Sequence, residues 1–118
     1  MKTLDHNIGF KFRNLEITSR ALVLHFYDEK TVIPLAEIKS YQMRWYLHDP
    51  IFGKKWWFLV LTVVLENGHE ESAPVTFVKF NYLSEDLESR KHIERRLTDA
   101  VDAAIATAAA AAQKMICV

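Results

Sequence analysis

Basic and aromatic side chains are concentrated in one short stretch near the middle of the chain. Lys54 and Lys55 directly precede Trp56 and Trp57, and Arg44 lies earlier beside a further tryptophan and a tyrosine. Cations next to aromatic rings can bind a membrane interface or single-stranded nucleic acid. The alternative is a solvated loop that leads into a core strand. We retain Arg44, Lys54, Lys55 and Trp56 as candidates for binding a polar ligand or a membrane.

Overall charge argues against nucleic acid as a partner. The 15 basic residues balance 15 acidic residues, so the formal net charge is zero. A neutral chain has no long-range field that would attract a polyanion. We therefore expect no nucleic acid among the partners.

The chain shows no recognisable arrangement for catalysis or for metal binding. Its five histidines have no partners at metal-ligand spacing. The single cysteine, Cys117, cannot form an internal disulfide, which fits a reducing, cytoplasmic setting. The three glycines form neither a nucleophile elbow nor a phosphate-binding loop. We predict a protein that is not an enzyme and that carries no metal or cofactor.

The first two-thirds of the chain has the two-residue hydrophobic period of β-strands. Pro34 lacks an N–H group, so its short strand should lie at a sheet edge or end there. Asn67 and Gly68 predict a two-residue hairpin turn. The predicted strands cover residues 8–12, 15–18, 21–27, 31–35, 38–47, 56–66 and 69–80.

The last third changes to a helical period. Ser84 is the predicted N-cap, and apolar residues then recur at steps of three and four. The alanine-rich end should extend the helix to about Lys114. The predicted buried face consists of Ile93, Leu97, Val101, Ile105 and Ala108. The 118 residues suit one domain spanning residues 1–118.

Residues 56–65 are apolar on both faces of one predicted strand. With a two-residue turn, Val60 faces Val75, and the face that carries Phe58 and Val60 becomes the core. The other face must then be covered by the chain's own helix or loops, by another protein chain, or by a small apolar ligand. A register slip or a bulge at Ala73-Pro74 would exchange the two faces. The resulting interface candidates are Trp57, Leu59, Leu61, Val63 and Leu65.

Three segments together resemble the bacterial pleckstrin-homology-like domains. They are "EITSRALVLHF", "VIPLAEIKSYQM" and "VVLENGHEE", followed by a terminal helix, and they cover residues 15–108. The resemblance implies a curled antiparallel barrel or sandwich of six to seven strands, capped by a long helix. It also implies a binding or assembly module.

These observations predict a module that acts through protein–protein association, including self-association. The alternative is a module that binds a lipid headgroup or a small apolar ligand. The N-terminal residues lack the apolar segment of a signal peptide. Residues 56–65 are too few for a membrane-spanning helix, which needs about 20 apolar residues. We therefore expect a cytoplasmic protein.

Overall fold

The chain forms two antiparallel β-sheets and one C-terminal helix. The structure is a computed structural model that describes residues 10–12, 14–80 and 85–116, with side chains for 14–80 and 87–112. The predicted strand start at Ile8, the predicted cap Ser84 and the lone Cys117 lie outside these residues. The predicted class, mostly β with a C-terminal helix, is confirmed.

The two sheets follow one another along the chain. The first has the strand order β1-β2-β3-β4 and the second β5-β6-β7. A turn of 3-10 helix, Leu35–Glu37, separates them. The strands are β1 (Phe10–Phe12), β2 (Leu15–Ile17), β3 (Ala21–Phe26), β4 (Glu29–Pro34), β5 (Ile38–His48), β6 (Trp56–Leu65) and β7 (Glu70–Lys79), and the helix is α1 (Glu85–Ile116).

Seven strands agree with the predicted number, but the sheets are not closed into a barrel. Among the described residues, the strand ladders remain within each sheet, and no ladder joins one sheet to the other. Pro34 ends β4, which is an edge strand of the first sheet, as its missing N–H group predicted.

Helix α1 packs on the sheets through the predicted face. Leu97 and Val101 are fully buried, while Ile93 and Ile105 are half-buried against the same core. The alanines at residues 109–112 are exposed. The helix is about 48 Å long at 1.5 Å per residue, so its alanine-rich end extends past the core that its middle turns cover.

The loop between β6 and β7 is one residue longer than predicted. The Leu65 N–H donates to the His69 carbonyl (2.8 Å), and the Gly68 N–H donates to the Leu65 carbonyl (2.9 Å). Gly68 has a φ of 89°, which suits the left-handed position that closes a three-residue hairpin loop. The Asn67 side chain accepts a hydrogen bond from the His69 N–H (2.8 Å) and stabilises this longer loop. The predicted two-residue turn is therefore wrong.

A β-bulge later compensates for the extra loop residue. Val60 faces Pro74, not the predicted Val75, because the longer loop shifts the register by one residue. Val75 is the additional residue at the register shift. Beyond it, Phe58 faces Phe77 as predicted.

The inner face of β6 belongs to the core of this chain. Leu59, Leu61 and Val63 are fully buried, and the same cluster contains residues of the first sheet and of α1. The prediction that this face lies outside the core and contacts a partner is therefore wrong for these three residues. The physical reason is that the first sheet and α1 together cover a face that the helix alone could not.

Asn14 links the two sheets. Its backbone N–H donates to the Val75 carbonyl (3.1 Å), and its side-chain amide donates to the Pro74 carbonyl (3.4 Å). Its own carbonyl accepts a hydrogen bond from the His25 N–H (2.8 Å). The bulged segment of β7 is thus attached to the first sheet.

Tyr41 connects the second sheet to the helix. Its hydroxyl donates to the Asp102 carboxylate and lies 3.5 Å from the Thr98 carbonyl oxygen. Burial raises the pKa of the Tyr41 phenol well above its ordinary value, and the hydrogen bond and charge of Asp102, with the charge of Asp99, raise it further. The phenol therefore stays protonated in the folded chain over a wider pH range than in the unfolded chain.

We expect Leu61→Glu to unfold the chain, because a carboxylate at a fully buried position loses its hydration without gaining a partner. Its cost, several kcal/mol, is comparable to the total stability of a small domain. Thr62→Glu, on the opposite face of the same strand, should cost about 1 kcal/mol or less. Circular dichroism and urea unfolding of both variants would test this, and a folded Leu61→Glu variant would contradict the assignment of the core.

We expect Tyr41→Phe to lower the free energy of unfolding by about 0.5–1.5 kcal/mol near neutral pH. The folded-state pKa of Tyr41 is raised, so this stabilisation is complete below the unfolded pKa of about 10 and is lost at higher pH. Wild type should therefore lose more stability between about pH 9 and pH 11 than Tyr41→Phe does. Urea unfolding at each pH measures the difference, and Tyr27→Phe should follow wild type. If the free energy of unfolding fell equally with pH in wild type and Tyr41→Phe, the predicted contribution of the Tyr41 phenol would be contradicted.

Candidate binding surface

The second sheet has one buried face and one outer face. The first sheet and α1 pack on the buried face. Every residue of the outer face is half-buried or exposed, and none is fully buried. The outer face is therefore the surface of the second sheet that a partner can reach.

Five cross-strand rows make up this outer face. Their order from the hairpin loop to the far end follows from the strand register. The rows are Ser40–Val64–Glu70, Gln42–Thr62–Ser72, Arg44–Val60–Pro74, Tyr46–Phe58–Phe77 and His48–Trp56–Lys79.

Aromatic rings form a cluster at the end of the outer face that is far from the hairpin loop. Phe77 lies 5.7 Å from Phe58 and 5.8 Å from Trp56, centroid to centroid, and both pairs are edge-to-face. His48 lies 5.7 Å from Phe58. Edge-to-face pairs stabilise each other beyond their buried area, so the cluster is a fixed apolar platform on the surface.

Lysine side chains surround a shallow cavity at the same end of the sheet. The cavity measures about 310 Å³ and is lined by Gly53, Lys54, Lys55, Lys79 and Phe80. The Phe80 N–H donates to the Lys55 carbonyl (3.0 Å), which extends the β6–β7 pairing by one more pair. The Lys55 ammonium lies 3.7 Å from the Asp49 carboxylate and 5.2 Å from the Phe80 ring centroid. Backbone pairing thus places three cations around one small concavity.

Trp57 contacts helix α1 and does not belong to the outer face. The Arg90 guanidinium of α1 lies 3.8 Å from the Trp57 ring centroid, a cation–π contact. Nearby, Trp45 donates from its indole N–H to the Glu94 carboxylate (3.0 Å). Both tryptophans therefore hold the N-terminal half of α1 against β5 and β6.

The predicted site residues separate into two groups. Lys54 and Lys55 line the lysine cavity, and Trp56 lies in the outer row that also contains Lys79. Arg44 is exposed two rows away on β5 and does not line that cavity. Of the predicted interface residues, three are core, and Trp57 and Leu65 are half-buried.

Sequence reasoning missed Lys79, Phe80 and the apolar pair Ile51-Phe52. The predicted register already placed Lys79 opposite Trp56, so that register contained the signal. The signal for Ile51 and Phe52 was the presence of two bulky apolar residues in a short loop between Pro50 and Gly53. The structure leaves both side chains exposed, and exposed apolar residues that cluster mark contact sites.

Other features of the described residues do not form a comparable site. A groove of about 210 Å³ lies between α1 and the β2–β3 turn and is lined mainly by small side chains of α1 with Ile17. Within residues 14–80 and 87–112, no three His, Cys, Asp or Glu side chains come close enough to hold a metal ion. The described helix is not apolar enough to cross a membrane.

Comparison of the chain with known proteins found no relative. No family model, no curated protein and no solved structure matches the chain.

Proposed function

We propose that this protein is a non-enzymatic binding and assembly module that associates with a second copy of itself through the outer face of β5–β6–β7. The carrying observation is the pair of adjacent rows Arg44–Val60–Pro74 and Tyr46–Phe58–Phe77, which are largely apolar and face away from the core. Uncovered apolar patches on small domains typically mark contacts with other molecules.

A second copy fits this face when the twofold axis runs along β6. A rotation about this axis keeps each residue's position along the strand, so each row meets the same row of the partner in an isologous interface. Phe58 then meets Phe58 of the partner subunit, and Val60 meets Val60 of the partner subunit. An axis perpendicular to the strands would instead place the Tyr46–Phe58–Phe77 row against the polar row that contains Thr62. Burial of apolar surface favours the axis along β6.

Charges on the face agree with the same axis. Strand β5 of one copy lies over β7 of the other, so Arg44 approaches the partner's Pro74 and Lys79 approaches the partner's His48. Glu70 likewise approaches the partner's Ser40. No charged residue directly faces one of like charge, which would cost affinity.

The size of the face predicts weak association. Three strands about 4.8 Å apart and five rows about 6.8 Å apart give a plane of roughly 500 Å². Two such planes bury on the order of 1,000 Å² in total, at the lower limit for a specific interface. The proposed dimer therefore forms reversibly and depends on protein concentration.

The proposed role as a binding and assembly module rests on surface contacts and needs no catalytic step. Two adjacent rows of the outer face offer aromatic and aliphatic side chains, among them Phe58, Val60 and Phe77, whose burial favours association. The hydrogen bonds from Asn14 to the Val75 and Pro74 carbonyls join the first sheet to β7. The Glu66 N–H donates to the Glu37 carbonyl (2.9 Å) and so continues the β5–β6 pairing into the 3-10 turn between the sheets. We infer from these links a partly open relative of the pleckstrin-homology-like barrel, and we keep the cytoplasmic setting as part of the proposal.

We expect Val60→Glu to abolish self-association, because it places two carboxylates opposite each other at the twofold axis. Light scattering over a range of concentrations should show a wild-type mass that rises toward that of a dimer and a variant that stays monomeric. The matched control is Val32→Glu, at a valine that is 54% exposed on the first sheet, and it should behave as wild type. A wild type that remains monomeric at every accessible concentration would refute the proposal.

Crosslinking should identify the axis. In a Cys117→Ser background, Phe58→Cys and Val60→Cys should each give covalent dimers with a short thiol-reactive crosslinker, because both positions face themselves across an axis along β6. Val32→Cys should give only collisional background. Dimers from Val60→Cys alone would show that the axis is perpendicular to the strands and would contradict the proposed arrangement.

A further inference from the structure

The loop between β5 and β6 exposes two large apolar side chains at its tip. Ile51 and Phe52 are 92% and 89% exposed. Pro50 restricts its own φ, and Gly53 has a φ of 108°, which few other residues adopt. A Cβ at Gly53 would lie 3.8 Å from Pro50 Cγ, so the two ends of this tip are close together. The backbone thus forms a tight turn that presents both side chains to the surroundings.

The lysine cavity lies directly behind this tip. Lys54, Lys55 and Lys79 contribute three positive charges, and Asp49 contributes one negative charge, which leaves a local charge of +2. The whole chain has no net charge, so the positive charge is concentrated at this end of the sheet. The exposed acidic residues Glu66 and Glu70 lie at the opposite, hairpin end of the same sheet.

We propose that this end of the molecule docks on an anionic lipid bilayer, with Ile51 and Phe52 inserted among the acyl chains and the three lysines at the level of the lipid phosphates. Apolar side chains with a collar of cations match the layers of a bilayer surface, where the apolar region lies below the anionic headgroups. Lysine can keep its ammonium group in the headgroup layer while its methylenes contact apolar surface. Trp56, next to the loop, is a residue type that is common at this depth.

Charge complementarity selects an anionic bilayer over a neutral one. Each lysine near an anionic surface adds attraction that falls off within a Debye length. The acidic hairpin end faces away from the bilayer in this orientation, so it adds little repulsion. Docking uses the loop and the cavity of a single copy and does not require the proposed dimer.

Vesicle sedimentation tests the proposal with the full chain. Wild type should co-sediment with phosphatidylcholine vesicles that contain phosphatidylserine and bind vesicles of phosphatidylcholine alone at least about tenfold more weakly. Raising the salt from about 0.1 M to about 1 M should weaken binding, because the Debye length falls from about 10 Å to about 3 Å. Equal binding to both vesicle types, or no binding to either, would overturn the proposal.

Matched variants test whether binding depends on the loop itself or only on the overall charge and exposed apolar surface of the chain. The double variant Ile51→Ser with Phe52→Ser should bind at least about tenfold more weakly, whereas Tyr27→Asn, at a tyrosine that is 90% exposed in another loop, should bind as wild type. Lys54→Glu should weaken binding and flatten its salt dependence, and Lys30→Glu, with the same change in net charge, should do neither. If the two members of either pair behave alike, the loop is not the docking site.

A polarity-sensitive fluorophore tests insertion directly. In a Cys117→Ser background, the dye on Phe52→Cys should shift to the blue with anionic vesicles, whereas the dye on Tyr27→Cys should not. An unchanged spectrum at Phe52→Cys despite co-sedimentation would exclude insertion. Light scattering without lipid separates this test from that of self-association, because neither Phe52 nor Lys54 lies on the outer face.

Discussion

The packing of β6 is the constraint on which the rest of the structure depends. This strand is apolar on both faces, yet a small two-sheet domain has one interior. The chain buries Leu59, Leu61 and Val63 under the first sheet and α1, which leaves Phe58 and Val60 on the outside. Each buried aliphatic side chain contributes about 1.5–3 kcal/mol. The first sheet and α1 pack against the second sheet where they cover these three side chains.

The β-bulge at Val75 makes this choice of face possible. The three-residue loop at Gly68 brings Ala73 opposite Leu61 on the inner side, and the extra residue at Val75 returns the far end of β7 to its earlier register. Val75 and Thr76 are consecutive and both buried, and the register shift lies at this point of β7. The same segment accepts the hydrogen bonds from Asn14, so the irregularity also attaches the first sheet.

The strand and helix positions could be predicted from the sequence because they depend on local periodicity. The core face of β6 could not, because it changes when the strand register shifts by one residue. Strand and helix positions came from apolar spacing, and the helix face with Leu97 and Val101 was correct because a period of 3.6 admits one apolar stripe. The core face of β6 was not correct, because both faces are apolar and only the loop length selects between them. An Asn-Gly pair is compatible with loops of two and of three residues, and local preference does not separate them.

The residues of the lysine cavity divide in the same way, into those that are neighbours in sequence and those that strand pairing brings together. Lys54, Lys55 and Trp56 attracted attention as neighbours in sequence, whereas Lys79 and Phe80 join them only through the β6–β7 pairing. Site residues that only strand pairing brings together cannot be predicted when the register of that pairing is uncertain. In this chain the bulge preserves the predicted pairing at the far end, so Lys79 was within reach of sequence reasoning although the core face was not.

The two proposed surfaces have a geometric consequence for each other. A twofold axis along β6 leaves both β5–β6 loops at the same end of the dimer, since each row meets its own equivalent. Both apolar tips can then enter one bilayer, and the second tip binds at an effective concentration in the millimolar range. A face that buries only about 1,000 Å² is weak in dilute solution, but confinement to a membrane would raise the local concentration of the chain. Two individually weak contacts would then stabilise each other, whereas an axis perpendicular to the strands would point the loops in opposite directions and remove this coupling.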